Sequence, residues 1–182
     1  MTKKILIHTP RITSPAGVAS YYKAVQPYFS KDVAYHQYYT KAQLVEILNN
    51  KIIAKLLFPF VFIYNYIKFC VLILKLDNPI VLLNPSLGKN AMQRDAVFLE
   101  IAKMFHSPVV VFMRGWDQDY FQLLLNQKEK FSNNWLKADA FLVLASEFER
   151  GLRQLGVKVP IYLTTTKVSD SLIKEIPLNK KT

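Results

Sequence analysis

An unbroken apolar run, Val109-Val110-Val111-Phe112, leads directly into Met113-Arg114-Gly115-Trp116-Asp117-Gln118-Asp119. Arg114 offers a planar fork of donors suited to phosphate or carboxylate. Asp117 is suited to accepting a proton, binding a sugar hydroxyl, or capping the helix that it begins. Polar residues on a loop behind a buried strand are typical places for binding groups. A second loop, Asn84-Pro85-Ser86-Leu87-Gly88-Lys89-Asn90, has Arg94 one turn into the following helix. Ser86, Lys89 and Asn90 suit a hydroxyl-rich or anionic group, or equally a helix cap beside a solvated lysine. The Gly-Lys-Ser/Thr ending of an NTPase phosphate loop is missing. In a third loop, Arg11 to Gly17, the glycine at the helix start lets the backbone approach an anion. A lone Gly17 is equally an ordinary turn, since the three spaced glycines of a dinucleotide fingerprint are absent.

The remaining reactive types are sparse. His8, His36 and His106 have no metal-ligand spacing and are expected to pack or face solvent. No carboxylate pair is spaced for a divalent cation, so no metal and no cofactor are expected. Cys70 is the single cysteine, and it reads as a small buried hydrophobe in a chain that forms no internal disulfide.

The elements that must carry these loops follow from periodicity. Strands are expected near Lys4–His8, Asp32–Tyr38, Ile80–Leu83, Pro108–Phe112 and Ala140–Leu144. Helices are expected at Gly17 to Val25, ending by Pro27, then at roughly 91–105, 117–136 and 146–155. Lys41 to Lys75 has helix formers and no glycine, and Pro59 predicts two helices or a kink there. Apolar strands alternating with helices predict an α/β fold: a Rossmann-like, three-layer domain on a mostly parallel sheet. Ligands of such folds sit at the carboxyl ends of the strands, which puts 9–17, 84–90, 113–119 and 145–147 on one rim. Residues 1–170 are expected to form the domain and 171–182 a hinge, linker or tail.

The 182 residues, 51% of them hydrophobic, suffice for one core and exclude a wholly disordered chain. The N-terminus is too briefly apolar for a signal peptide, so a cytoplasmic location is expected. The net charge of +11 is uneven: residues 1–75 hold ten basic side chains against two acids, Asp32 and Glu46. Such a half suits an anionic partner, whether phosphorylated substrate, membrane surface or nucleic acid, or is simply a solvated face. Nucleic acid is disfavoured because the aromatics gather in one greasy stretch instead of interleaving with the basic residues. That stretch, Ile52 to Leu76, has six aromatics, Lys55, Lys68 and Lys75, and no acid. Three readings of it stay open: a core helix pair, a surface lying on anionic lipid, or a membrane span interrupted by Pro59, Asn65 and Lys68.

Taken in order, four segments resemble the N-terminal domain of glycosyltransferase family 4 (GT-B fold, group 1). They are Lys4-Ile5-Leu6-Ile7 with Ala16-Gly17-Val18-Ala19-Ser20-Tyr21-Tyr22, then Val81 to Ser86, Val109 to Gly115, and Ala138 to Ser146 with Leu152 and Gly156. The resemblance covers nearly the whole chain. It implies one half of a GT-B fold, a nucleotide-sugar donor as substrate, and a glycan or lipid-linked acceptor in surface polysaccharide synthesis. It further implies transfer with retention of configuration. In that frame Gly17 admits donor phosphates, Ser86 and Arg94 line the acceptor side, and Arg114 and Asp117 face the cleft. Two departures stand out: Ala16 replaces the first of a glycine pair, and Arg114-Gly115 replaces a His-Gly whose histidine contacts the donor sugar. The family's C-terminal donor domain, with its paired glutamates, is required in cis or in trans, so this chain is expected to be inactive alone. The alternatives are a non-catalytic membrane-docking subunit of a split transferase, peripheral at the inner face of the membrane, or a basic nucleic-acid-binding protein.

Overall fold

The computed structural model describes residues 3–14 and 17–165; the expected hinge at 171–182 lies outside them. Six parallel strands form one sheet in the order β2-β1-β3-β4-β5-β6: β1 (Ile5–Pro10), β2 (Val33–Tyr38), β3 (Ile80–Leu83), β4 (Val109–Met113), β5 (Ala140–Val143) and β6 (Ile161–Leu163). Among the described residues seven α-helices and one short 3-10 turn (Gln26–Tyr28) connect them: α1 (Gly17–Val25), α2 (Lys41–Leu48), α3 (Lys51–Leu76), α4 (Lys89–Met104), α5 (Gln118–Asn126), α6 (Glu129–Trp135) and α7 (Ser146–Gln154). The domain is α/β and Rossmann-like, as the alternation of apolar runs and helices predicts.

Alternation along β1 sorts the layers. Ile5 and Ile7 pack with Tyr22 and Val25 of α1 on one face. Leu6 belongs to the larger core on the other face, with Phe69 of α3, Phe98 and Leu99 of α4, Phe131 of α6 and Leu152 of α7. The topology dictates this division. The chain steps from β1 outward to β2, then returns across β1 to β3 and continues away. Right-handed crossovers therefore set α1 on one face and the later helices on the other.

Local signals explain most boundaries, and three differ from expectation. The helical stretch after β2 breaks at Asn49-Asn50, not at Pro59. Asn49 adopts a left-handed conformation (φ 46°) that closes α2. Asn50 then caps α3, its side chain accepting from the backbone N–H groups of Ile52 and Ile53. Pro59 sits inside α3 on an exposed stretch, where the carbonyl left without its N–H donor can turn to water. The expected helix over 117–136 is two, α5 and α6, with a break after Asn126. The short edge strand β6 was not expected; at three residues, with Tyr162 and Leu163 exposed, it carries almost no periodic signal.

α3 is not an ordinary core helix. Of its 26 residues only Ala54, Asn65, Phe69 and Ile73 are buried. Ile52, Leu56, Phe60, Ile63, Ile67, Val71 and Leu74 are all more than half exposed and recur every three or four residues, forming one apolar stripe along its outer side.

Candidate functional site

The order of strands reverses between β1 and β3, and in open α/β sheets the crevice at such a switch point, outside the strand carboxyl ends, is where ligands bind. Here its floor is fixed by buried hydrogen bonds. The Tyr22 hydroxyl of α1 donates to Asn84 Oδ1 at 2.7 Å, and Asn84 Nδ2 donates to the carbonyl of His8 at 2.9 Å. One asparagine thus ties α1, the end of β1 and the loop after β3 together. Burial raises the Tyr22 phenol well above its usual pKa, keeping it a neutral donor.

The loops after β3 and β4 are joined as a continuation of the sheet. Arg114 N–H donates to the carbonyl of Pro85 (2.9 Å), Leu87 N–H to that of Gly115 (2.8 Å), and Asp117 N–H to that of Leu87 (2.9 Å). Gly115 is required by this closeness: a Cβ there would lie 2.9 Å from Ser86 Oγ. Ser86, Arg114 and Asp117 are therefore brought to one stretch of rim, with Ser86 and Asp117 exposed.

Arg114 reaches across to α1. Its guanidinium lies 4.0 Å from the ring centre of Tyr21 and 4.6 Å from that of Phe112. Its Nη1 is buried without a hydrogen-bond partner. Burial pulls its pKa below the ordinary value, with Tyr22 and Tyr21 opposing. Among the described residues no acidic side chain pairs with it, so an anionic group entering the crevice would meet a cation without a carboxylate partner. At Gly17 a Cβ would meet nothing within 4 Å among the described residues, which leaves open space at the start of α1. Asp117 performs the helix-capping role among its three options: its carboxylate accepts from the N–H of Tyr120 at 3.0 Å.

Arg94 stands apart from this group. It points to the α3 side of the sheet, where Nε and Nη2 bind the two carboxylate oxygens of Asp95 at 2.5 and 2.9 Å and the guanidinium lies 4.6 Å from the ring centre of Tyr38. Asp95 is 1% exposed and lies 3.6 Å from His8 Nε2. Burial pushes the carboxyl toward neutrality, but Arg94 and His8 outweigh it and hold the pKa below the ordinary value.

Behind Asp95, His8 and His36 are direct partners across β1 and β2, with Nδ1 atoms 2.8 Å apart. The contact requires one ring to donate its Nδ1–H and the other to accept at Nδ1, and neither Nε2 has a hydrogen-bond partner among the described residues. Burial pulls both imidazoles down, His36 to about 2, so both are neutral at physiological pH. The sequence reading expected these histidines to pack or face solvent. Packing holds for this pair, while the contact between them, and the line Arg94–Asp95–His8–His36, was missed. The signal available was the offset of 28 between the first two strands, which sets position 8 beside 36 once the strands pair in parallel.

These features define a parallel α/β domain with a crevice at its switch point flanked by Arg114. No protein-family model matches the sequence, and no characterised protein matches it either.

Proposed function

We propose that this chain is the acceptor-side, N-terminal domain of a retaining, nucleotide-sugar-dependent glycosyltransferase of GT-B architecture, acting on surface-polysaccharide or lipid-linked glycans. The observation that carries the reading is the crevice between β1 and β3. Beside it stand the exposed Ser86 and the Arg114 guanidinium, whose Nη1 has no hydrogen-bond partner, and among the described residues nothing would meet a Cβ at Gly17, on the rim where such folds bind ligands. Arg114 is suited to a phosphate of the nucleotide sugar, and Ser86 to a hydroxyl of either substrate. The donor domain is supplied in cis or in trans. The test is transfer of labelled sugar from a nucleotide-sugar panel to cell-derived acceptor, with the donor domain present. Arg114→Ala should lower kcat/KM at least tenfold, a loss expected for a charge-assisted contact. Wild-type transfer by a folded Arg114→Ala would refute the assignment.

A second reading, favoured by the outer stripe of α3, is a membrane-docking subunit without catalysis of its own. α3 is long and apolar enough to cross a bilayer. Its inner side, Asn65, Phe69 and Ile73, is buried against the domain, which favours lying in the interface plane over spanning. Lys55, Lys68 and Lys75, with no acid on the helix, suit anionic headgroups.

A further inference from the structure

Between the outer half of α3, the end of β2 and the first turns of α4 lies a cavity of about 510 Å³, within the range of small-molecule sites. It is distinct from the β1–β3 crevice and lies on the opposite side of the sheet, beneath the helix that carries the exposed apolar stripe. Two kinds of surface meet in it. Phe58 and Phe62 of α3 with Val97 of α4 supply an apolar wall; Lys41 and Arg94 stand in its lining, and no carboxylate does. Arg94 uses Nε and Nη2 on Asp95, and Nη1 makes no hydrogen bond among the described residues. Two further groups lack partners. Asn65 is 2% exposed with Oδ1 unpaired, and the Tyr66 hydroxyl is buried and unpaired. Buried polar atoms are rarely left unsatisfied, and both of these belong to residues that line the cavity.

From this arrangement we infer that the cavity binds a phosphate-bearing amphiphile, with the phosphate at Arg94 and Lys41 and the hydrocarbon along Phe58, Phe62 and Val97. A purely apolar ligand would offer no acceptor to the Lys41 ammonium, to the Arg94 Nη1 left over by the Asp95 ion pair, or to the Tyr66 hydroxyl. A bare phosphate would leave the aromatic wall wet. The inference goes beyond the acceptor-side reading: it assigns a lipid-phosphate site outside the crevice where transfer is proposed. Its test is independent of turnover. If binding fails while transfer succeeds, only the inference falls; if binding succeeds and no sugar is transferred, only the transferase reading does.

The experiment is isothermal titration of the full chain with geranyl monophosphate below its micelle concentration, with geraniol and inorganic phosphate as separate arms. One saturable site is expected for geranyl monophosphate, with at least tenfold weaker binding of the other two. Val97→Trp, which fills the cavity from a position 40% exposed, should weaken binding at least tenfold. Lys41→Glu, on the surface at the start of α2, should weaken it severalfold and decides the matter if Val97→Trp does not fold. Ile67→Ser, on the outer stripe of α3, should leave it unchanged. The inference is overturned if geranyl monophosphate fails to saturate, or if inorganic phosphate or geraniol binds as tightly. It is also overturned if Ile67→Ser weakens binding as much as the cavity variants, which would place the lipid on the outside of the helix.

Discussion

Acidification from pH 7 to pH 5 tests the buried histidine pair. In the folded chain His36 has a pKa of about 2, and His8 is held below its ordinary value, burial being the leading cause for both. In the unfolded chain each returns to about 6.5. A depressed folded pKa means that the unfolded state binds more protons below 6.5, so the contribution is intact above that pH and is lost as the pH falls. Integrated from pH 7 to 5, His36 alone costs about 2 kcal/mol, and His8 adds to the loss in the same direction. Against a typical domain stability of roughly 5 to 15 kcal/mol, that is a large fraction. Asp95, whose pKa is lowered from an ordinary 3.8, loses its contribution only at lower pH, so it does not contaminate this window. Urea unfolding at pH 7, 6 and 5 measures the slope. His36→Gln, which keeps a polar side chain but cannot be protonated, should reduce that slope. Coincident urea midpoints at pH 7 and 5, or an unchanged slope in His36→Gln, would refute the account.

Two further expectations concern the packing around the site. Gly151→Ala places a Cβ 2.5 Å from Cζ2 and 2.6 Å from Cη2 of the Trp116 ring, which stacks on Phe148 and cannot simply yield. A loss of about 1 to 3 kcal/mol is expected despite alanine's better helix propensity, read as a fall of several degrees in Tm, and Trp116→Leu in the same chain should restore most of it. Arg94→Ala leaves the Asp95 carboxylate buried without its cation and should cost about 3 to 5 kcal/mol in urea unfolding, largely recovered by adding Asp95→Asn. A stable Arg94→Ala would show that the arginine is not engaged in holding the domain together.

How much of this could be read from the sequence depends on the range of each signal. Four of the five longer strands carry short apolar runs and β2 alternates, and their order along the chain with the intervening helices was enough to name a parallel α/β sheet. Asn49 and Asn50 ended one helix and began the next more effectively than Pro59, because a left-handed residue followed by a side-chain cap satisfies both helix ends, while an exposed proline costs a single hydrogen bond. The rim loops were found correctly as a group, since they follow strands directly. The direction of each side chain was not. Arg94 and Arg114 lie on opposite sides of one sheet, and only the helix crossovers decide which side. Asp95, next to Arg94, drew no attention in the sequence; its role arises from His8, 87 positions away along the chain. The cavity beneath α3 was equally illegible, because Tyr38, Phe58 and Val97 come together only when β2, α3 and α4 pack.

The ladder of backbone hydrogen bonds from Pro85 to Asp117 makes the loops at 84–90 and 113–119 a single rigid plate. The backbones of Ser86 and Arg114 move together, since their neighbours are hydrogen-bonded across the two loops and Trp116 is stacked on Phe148 of α7. Their spacing acts as a fixed gauge. A guest is then chosen by whether its own span matches that gauge, and adjustment falls to the α1 side with Tyr21, which is built on a different element. Variants selected for a longer or shorter guest should accumulate in α1 and its preceding loop, leaving the plate unaltered.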